Sequence, residues 1–147
     1  MIIRRSTIRW AYRLVAVAAL LLTGVHVLPY LDAGFVDGTA AFWTDALVNT
    51  NAAGRFLAID VLFLALAVIA WMVFESRRLA MRGVWIYVLV GLVIGISFAV
   101  PLWLAARETA LIRAGSDRAE PLGRGDLAGL FLLAAVVLAS GIATALK

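Results

Sequence analysis

One aspartate stands inside an otherwise apolar run. Asp60 interrupts the stretch 56–74, while the other eight of the nine acidic residues lie outside such runs. A carboxylate near the centre of a membrane helix costs about 2.5–3.5 kcal/mol, so Asp60 needs a partner or a use. His26, the single histidine, falls at a similar depth in the stretch 10–31. If the stretch 83–106 crosses in the opposite sense, it brings Ser97 to that level and Arg107-Glu108 just above it. Asp60, His26, Ser97, Arg107 and Glu108 thus form the candidate polar cluster, on depth alone. Its chemistry would be proton transfer: desolvation favours the protonated carboxyl, and an imidazole titrates near neutrality. Such a pair can move protons or serve as acid and base on a membrane-embedded substrate. The plainer expectation is structural, with Asp60 held by Arg107, or by His26 and Ser97, to fix helix register.

The elements that position these residues follow from composition. The chain has 147 residues, 65% hydrophobic and 15% charged, and its mean hydropathy is +1.03. Soluble domains carry about 45–50% apolar and about 25% charged residues, and a soluble chain this small cannot bury such an excess. A bilayer resolves the conflict. Four stretches, 10–31, 56–74, 83–106 and 127–146, approach or exceed the roughly 20 residues a crossing helix needs. The expectation is one all-α transmembrane domain over 1–147, an integral four-helix bundle with no separate soluble domain. The first stretch reads as a retained helix, because Leu28-Pro29-Tyr30-Leu31 offers no clean cleavage site. Cysteine is absent, which removes disulfides, thiolate catalysis and Cys-ligated zinc. With one histidine as well, no metal and no cofactor are expected. The 13 basic residues punctuate apolar runs and form no patch interleaved with exposed aromatics, so a nucleic-acid partner is not expected.

Counting basic residues near the span ends sets orientation. With the N-terminus inside, Arg4, Arg5, Arg9, Arg13, Arg77, Arg78, Arg82 and Lys147 lie inside, eight in all. Arg55, Arg107, Arg113, Arg118 and Arg124, five in all, lie outside, offset in the third connection by Glu108, Asp117, Glu120 and Asp126. This favours N-in/C-in. Trp10, Tyr12, Trp71, Phe74, Trp85 and Tyr87 then sit at the inner interface, and Tyr30, Trp43, Phe56 and Trp103 at the outer one. Phe42, Trp43, Ala46 and Leu47 recur at helical spacing in the first outer loop, predicting a short interfacial helix. Pro121, with Gly115, Gly123 and Gly125, marks the third connection as a loop. Gly91 with Gly95, and Ala135, Ala139 and Ala143, place small residues at every fourth position for helix packing, chiefly within the chain. Pro101 predicts a kink close to Ser97.

Phe56-Leu57-Ala58-Ile59-Asp60, then Phe74-Glu75-Ser76-Arg77-Arg78, and Gly95-Ile96-Ser97-Phe98-Ala99-Val100-Pro101-Leu102-Trp103-Leu104 leading into Arg107-Glu108, resemble a known pattern. They are similar to the bacterial membrane family called domain of unknown function 2834, over residues 14–113. The matching positions are Asp60, Glu75, Arg78, Pro101, Arg107 and Glu108. The resemblance implies a compact bacterial multi-pass protein of the inner (plasma) membrane with a three-span core, and it brings no activity. The fourth span lies beyond that core.

Three functions from different classes remain. The first is a non-catalytic accessory or scaffold subunit of a membrane assembly, with a membrane-protein partner or a second copy of the chain. It fits the size, the packing motifs and the lack of a strong catalytic constellation, and it makes an enzyme the less expected outcome. The second is a proton-coupled small transporter using Asp60. The least supported is a membrane enzyme acting on a lipid or isoprenoid through His26 and Asp60.

Overall fold

The computed structural model describes residues 3–119 and 122–146. Glu120 and Lys147 from the charge count, and Pro121 from the third connection, lie outside the described residues. Six α-helices follow in order: α1 (Arg5–Gly24), α2 (Phe35–Thr44), α3 (Ala52–Arg78), α4 (Val84–Val93), α5 (Ile96–Arg113) and α6 (Arg124–Ala145). A 3-10 segment, Leu28–Ala33, leads into α2, and a π-helical turn, Asp45–Asn49, follows it. No strand occurs among the described residues. Helices α1, α3 and α6 are long and apolar enough to cross a membrane, and α4 is a shorter apolar helix. The all-α class expected from composition is what the chain adopts.

Local chemistry accounts for the helix ends. Asn51 caps α3 by accepting the Gly54 N–H at 2.9 Å. Arg77 and Arg78 in the last turn of α3 complement its dipole. Ala80, at φ +51, closes that end in the left-handed conformation, and the Met81 N–H returns to the Ser76 carbonyl at 2.8 Å. Gly83, also left-handed, then opens α4. At α6, the Asp126 carboxylate accepts the Gly123 N–H at 2.8 Å.

The third apolar stretch is where the four-span expectation fails. Helix α4 ends at Val93, Gly95 takes φ +155, and α5 turns back alongside α4. Only glycine adopts that backbone without strain. Gly91 permits the close approach: a Cβ there would lie 3.1 Å from Ile96 Cδ1 and 3.3 Å from Ala99 Cβ. The Gly91/Gly95 pair therefore closes a helical hairpin rather than a seam between two spans. Val84 and Trp103 share one buried cluster with Met72. Along a straight helix the same residues would stand about 28 Å apart. Pro101 is not the site of the break. It sits inside α5, which continues past it to Arg113, and the chain turns six residues earlier.

This hairpin changes the topology. The start of α1, the end of α3 and the end of α5 meet at one end of the molecule, joined by Arg5, Glu75, Arg107 and Glu108. Backbone hydrogen bonds from Arg5 N–H to Asp117 O and from Ala119 N–H to Ile3 O, both 3.1 Å, tie the connection before α6 to that same end. Gly141, late in α6, packs on Leu22, late in α1. Helices α1 and α6 therefore run parallel. Both termini on one side, as N-in/C-in requires, is not supported.

The buried cluster of Met72, Val84 and Trp103 sits at the end that holds the N-terminus, with Val68, Val73, Met81, Tyr87, Val100 and Leu104 packed around it. Trp103, expected at the outer interface, is fully buried there. Ala135, Ala139 and Ala143 are exposed on α6.

Candidate functional site

The five residues grouped by depth divide between the two ends. Asp60 is exposed on α3, His26 is exposed in the turn after α1, and Ser97 is exposed in the first turn of α5. No side-chain hydrogen bond or ion pair joins these three to one another or to any other described residue. His26 and Ser97 do line one cavity of about 480 Å³ at the tip of the α4–α5 hairpin, beneath α2; Asp60 does not line it. At this end Tyr30 Oη and Asn49 Nδ2 each donate to the Asp45 carboxylate at 2.8 Å. The Asn49 amide first, and the Tyr30 hydroxyl second, hold the Asp45 carboxyl below the usual aspartate range. Tyr30 also stacks edge-on against Phe42, with ring centroids 5.6 Å apart.

Arg107 and Glu108 stand at the other end, because α5 returns there. Arg107 Nε donates to Glu75 Oε1 at 2.7 Å, and its Nη1 donates to Glu108 Oε1 at 3.0 Å. Arg5 Nη1, from the first residue of α1, donates to Glu108 Oε2 at 2.9 Å, and its Nε donates to Ser116 Oγ at 3.2 Å. Arg78 grips Glu75 with two bonds, Nε to Oε2 at 2.6 Å and Nη2 to Oε1 at 2.7 Å. Bidentate arginine–carboxylate pairs of this kind are the stronger and more directional ones. The side chains differ in exposure: 3% for Glu108 and 9% for Glu75, but 63% for Arg78.

Beneath this network, Trp103 Nε1 donates to Ser76 Oγ at 2.9 Å, with both residues fully buried. Trp71 meets Trp103 edge to face at 4.9 Å between centroids. The hydroxyl and indole thus satisfy each other where neither reaches water.

The network is suited to holding helices and not to moving protons. All four carboxylate oxygens of Glu75 and Glu108 accept guanidinium N–H groups, so neither is free to act as a base. Three guanidiniums on two carboxylates tie α1, α3 and α5 together. No group of three or more His, Cys, Asp or Glu side chains converges on a metal-sized site among the described residues.

Sequence reading found four of the five charged members, Glu75, Arg78, Arg107 and Glu108, but put them at opposite ends. It missed Arg5, Ser76 and Ser116. The spacing Glu75-x-x-Arg78 signals the i,i+3 pair. The signal for the rest was the third connection, whose basic residues sat on the wrong side of the charge count.

The model for the family described as protein of unknown function DUF2834 matches residues 11–109, about two thirds of the chain. This chain belongs to the DUF2834 family. No curated protein and no solved structure matches it. The DUF2834 region runs from within α1 to within α5, so it contains the hairpin and both network carboxylates, while α6 lies outside it. Of the six positions that carry the resemblance, Glu75, Arg78, Arg107 and Glu108 form a single network in this DUF2834 protein. Pro101 belongs to the hairpin, and Asp60 stands apart.

Proposed function

We propose that this DUF2834 protein is a non-catalytic accessory or scaffold subunit of an assembly in the bacterial inner membrane. The observation that carries this reading is Asp60, exposed on an apolar helix with no partner among the described residues. In a bilayer such a side chain costs a few kcal/mol unless a neighbouring helix supplies a donor. The exposed alanines Ala135, Ala139 and Ala143 on α6 offer a second face on which another helix can approach closely. Both features suit a chain whose outer faces are completed by a membrane-protein partner or a second copy. In this reading α1, α3 and α6 cross the membrane, and α4–α5 enters and leaves on the N-terminal side. Eleven of the twelve arginines then lie on that side and only Arg55 on the other, so the N-terminus faces the cytoplasm and the end of α6 faces out. Helix α2, with Phe35 and Val36 exposed, rests on the outer surface as an interfacial helix.

Extraction into native nanodiscs followed by mass analysis tests the reading. A stable complex is expected, retained by Asp60→Asn, which keeps hydrogen bonding, and lost on Ala139→Leu, which blocks close approach. A lone monomer across mild extractions would count decisively against it.

One observation favours a second reading, a small transporter. The hairpin breaks inside the apolar region, and irregular backbone at such depth is tolerated where it is buried or lines a water-filled cavity. The 480 Å³ cavity at that break carries His26 and Ser97. The residue to test in that reading is His26, which lines the cavity, and not Asp60, which does not. Proton flux into reconstituted vesicles that disappears in His26→Ala supports this reading, and equal flux removes it.

A further inference from the structure

A second cavity lies at the N-terminal end, beside the arginine–carboxylate network and lined by none of its members. It has a volume of about 650 Å³ and spans α1, the α3–α4 turn, α4 and α5. Its charged lining consists of Arg13 from α1, Arg82 from the turn and Arg113 from the end of α5, and no carboxylate lines it. The two carboxylates of the adjoining network are already occupied, Glu75 by Arg78 and Arg107, and Glu108 by Arg5 and Arg107. Arg82 and Arg113 make no side-chain hydrogen bond or ion pair with any described residue. Arg13 only rests over the Trp10 ring, 4.6 Å from its centroid. Three chain segments therefore bring three cations to one hollow, and among the described residues no carboxylate is paired with them.

The rest of the lining says what kind of anion fits. The floor is apolar, built on α5 from Leu102, Ala105, Ala106 and Ala110, with Tyr87 from α4. The Thr109 hydroxyl is spent on the Ala105 carbonyl at 3.0 Å. A free anion would find charge but no use for that floor. An anion carrying a hydrocarbon body uses both, and about 650 Å³ holds far more than a bare phosphate. Guanidiniums bind phosphate oxygens through paired N–H donors, and basic pockets between membrane helices on the cytoplasmic side are suited to anionic headgroups.

We infer that the hollow between Arg13, Arg82 and Arg113 binds the phosphate of an anionic phospholipid headgroup, with the glycerol and upper acyl chains against the α5 alanine floor. The inference is independent of the scaffold reading, since it needs only the N-terminal end to lie at a membrane surface.

Native mass spectrometry of the full chain, titrated with phosphatidylglycerol or phosphatidylcholine in mild detergent, tests it. Wild-type protein is expected to bind phosphatidylglycerol in preference to phosphatidylcholine. Arg13→Gln, Arg82→Gln and Arg113→Gln should each weaken binding about fivefold, and the triple variant should lose the preference. Arg113→Lys should retain most of it. Arg77→Gln and Arg118→Gln, exposed arginines at the same end but outside the lining, should change binding less than twofold. Equal losses from these control variants would overturn the site in favour of diffuse surface charge. Millimolar inorganic phosphate that protects the chain against unfolding while phosphatidylglycerol shows no preference would overturn the lipid and leave a free anion as the occupant. Among the described residues Arg82 and Arg113 have no side-chain partner and Arg13 has only its contact with the Trp10 ring, so the variants should fold, and unchanged helical circular dichroism verifies it.

Discussion

The two ends of this protein treat charge in opposite ways. At the N-terminal end, Arg5, Glu75, Arg78, Arg107 and Glu108 neutralise one another across three helices. At the other end, Asp60 and His26 are exposed and make no side-chain bond to the described chain. The difference is that of a closed and an open valence. A carboxylate with every oxygen satisfied fixes the fold of its own chain. A carboxylate left bare on an apolar helix is a demand placed on something outside it.

Substitutions can break or sharpen that contrast. The largest effect is expected from Glu108→Ala, which strips a partner from both Arg5 and Arg107 around a side chain that is 3% exposed. Breaking a buried pair costs about 3–5 kcal/mol, so thermal unfolding in detergent should show a large drop in midpoint. Gly95→Ala comes next, at about 1–3 kcal/mol, because φ +155 strains any side chain. Cysteine pairs across α4 and α5 should then crosslink less completely. Trp103→Phe should cost about 1–3 kcal/mol by leaving the Ser76 hydroxyl buried without its indole donor. Ser76→Ala in the Trp103→Phe background should recover part of that loss in a double-mutant cycle.

Smaller effects probe the margins. Arg78 holds Glu75 at 2.6 Å but is 63% exposed, so Arg78→Gln should cost no more than about 1 kcal/mol by urea unfolding. Asp60→Asn should leave the stability of the isolated chain within about 0.5 kcal/mol, the range for surface positions without partners. If Asp60→Asn instead destabilised the isolated chain as much as Glu108→Ala does, the distinction between the two ends would fail.

Much of the site was written in the chain, yet its assembly was not. Glu75-x-x-Arg78 announces a helical ion pair, and Arg107-Glu108 announces charges at the end of an apolar run. That these meet depends on the direction of α5, and a hydropathy profile has no direction. The run from 83 to 106 has the same composition whether it passes straight through or folds back at Gly95. The turn at Gly95 carries Arg107 and Glu108 away from Asp60, His26 and Ser97, and those three make no side-chain bond to one another. The inside and outside counts of eight and five were discordant for the same reason, and the hairpin brings Arg107, Arg113, Arg118 and Arg124 to the N-terminal side.

The sequence by itself determined the solvent and the helices. Its 65% hydrophobic content leaves only a bilayer-like environment, and backbone groups in such surroundings must bond within helices. Tertiary structure alone decided where the third apolar run turns, which end each charge occupies, and that Trp103 is core and not interface. The physical reason is that burial and helix formation depend on composition over a window, and composition is local. Ion pairing and packing depend on which distant segments share a neighbourhood. Here one glycine with a positive φ, closing a contact that Gly91 makes room for, sets that neighbourhood for the charges of α1, α3 and α5.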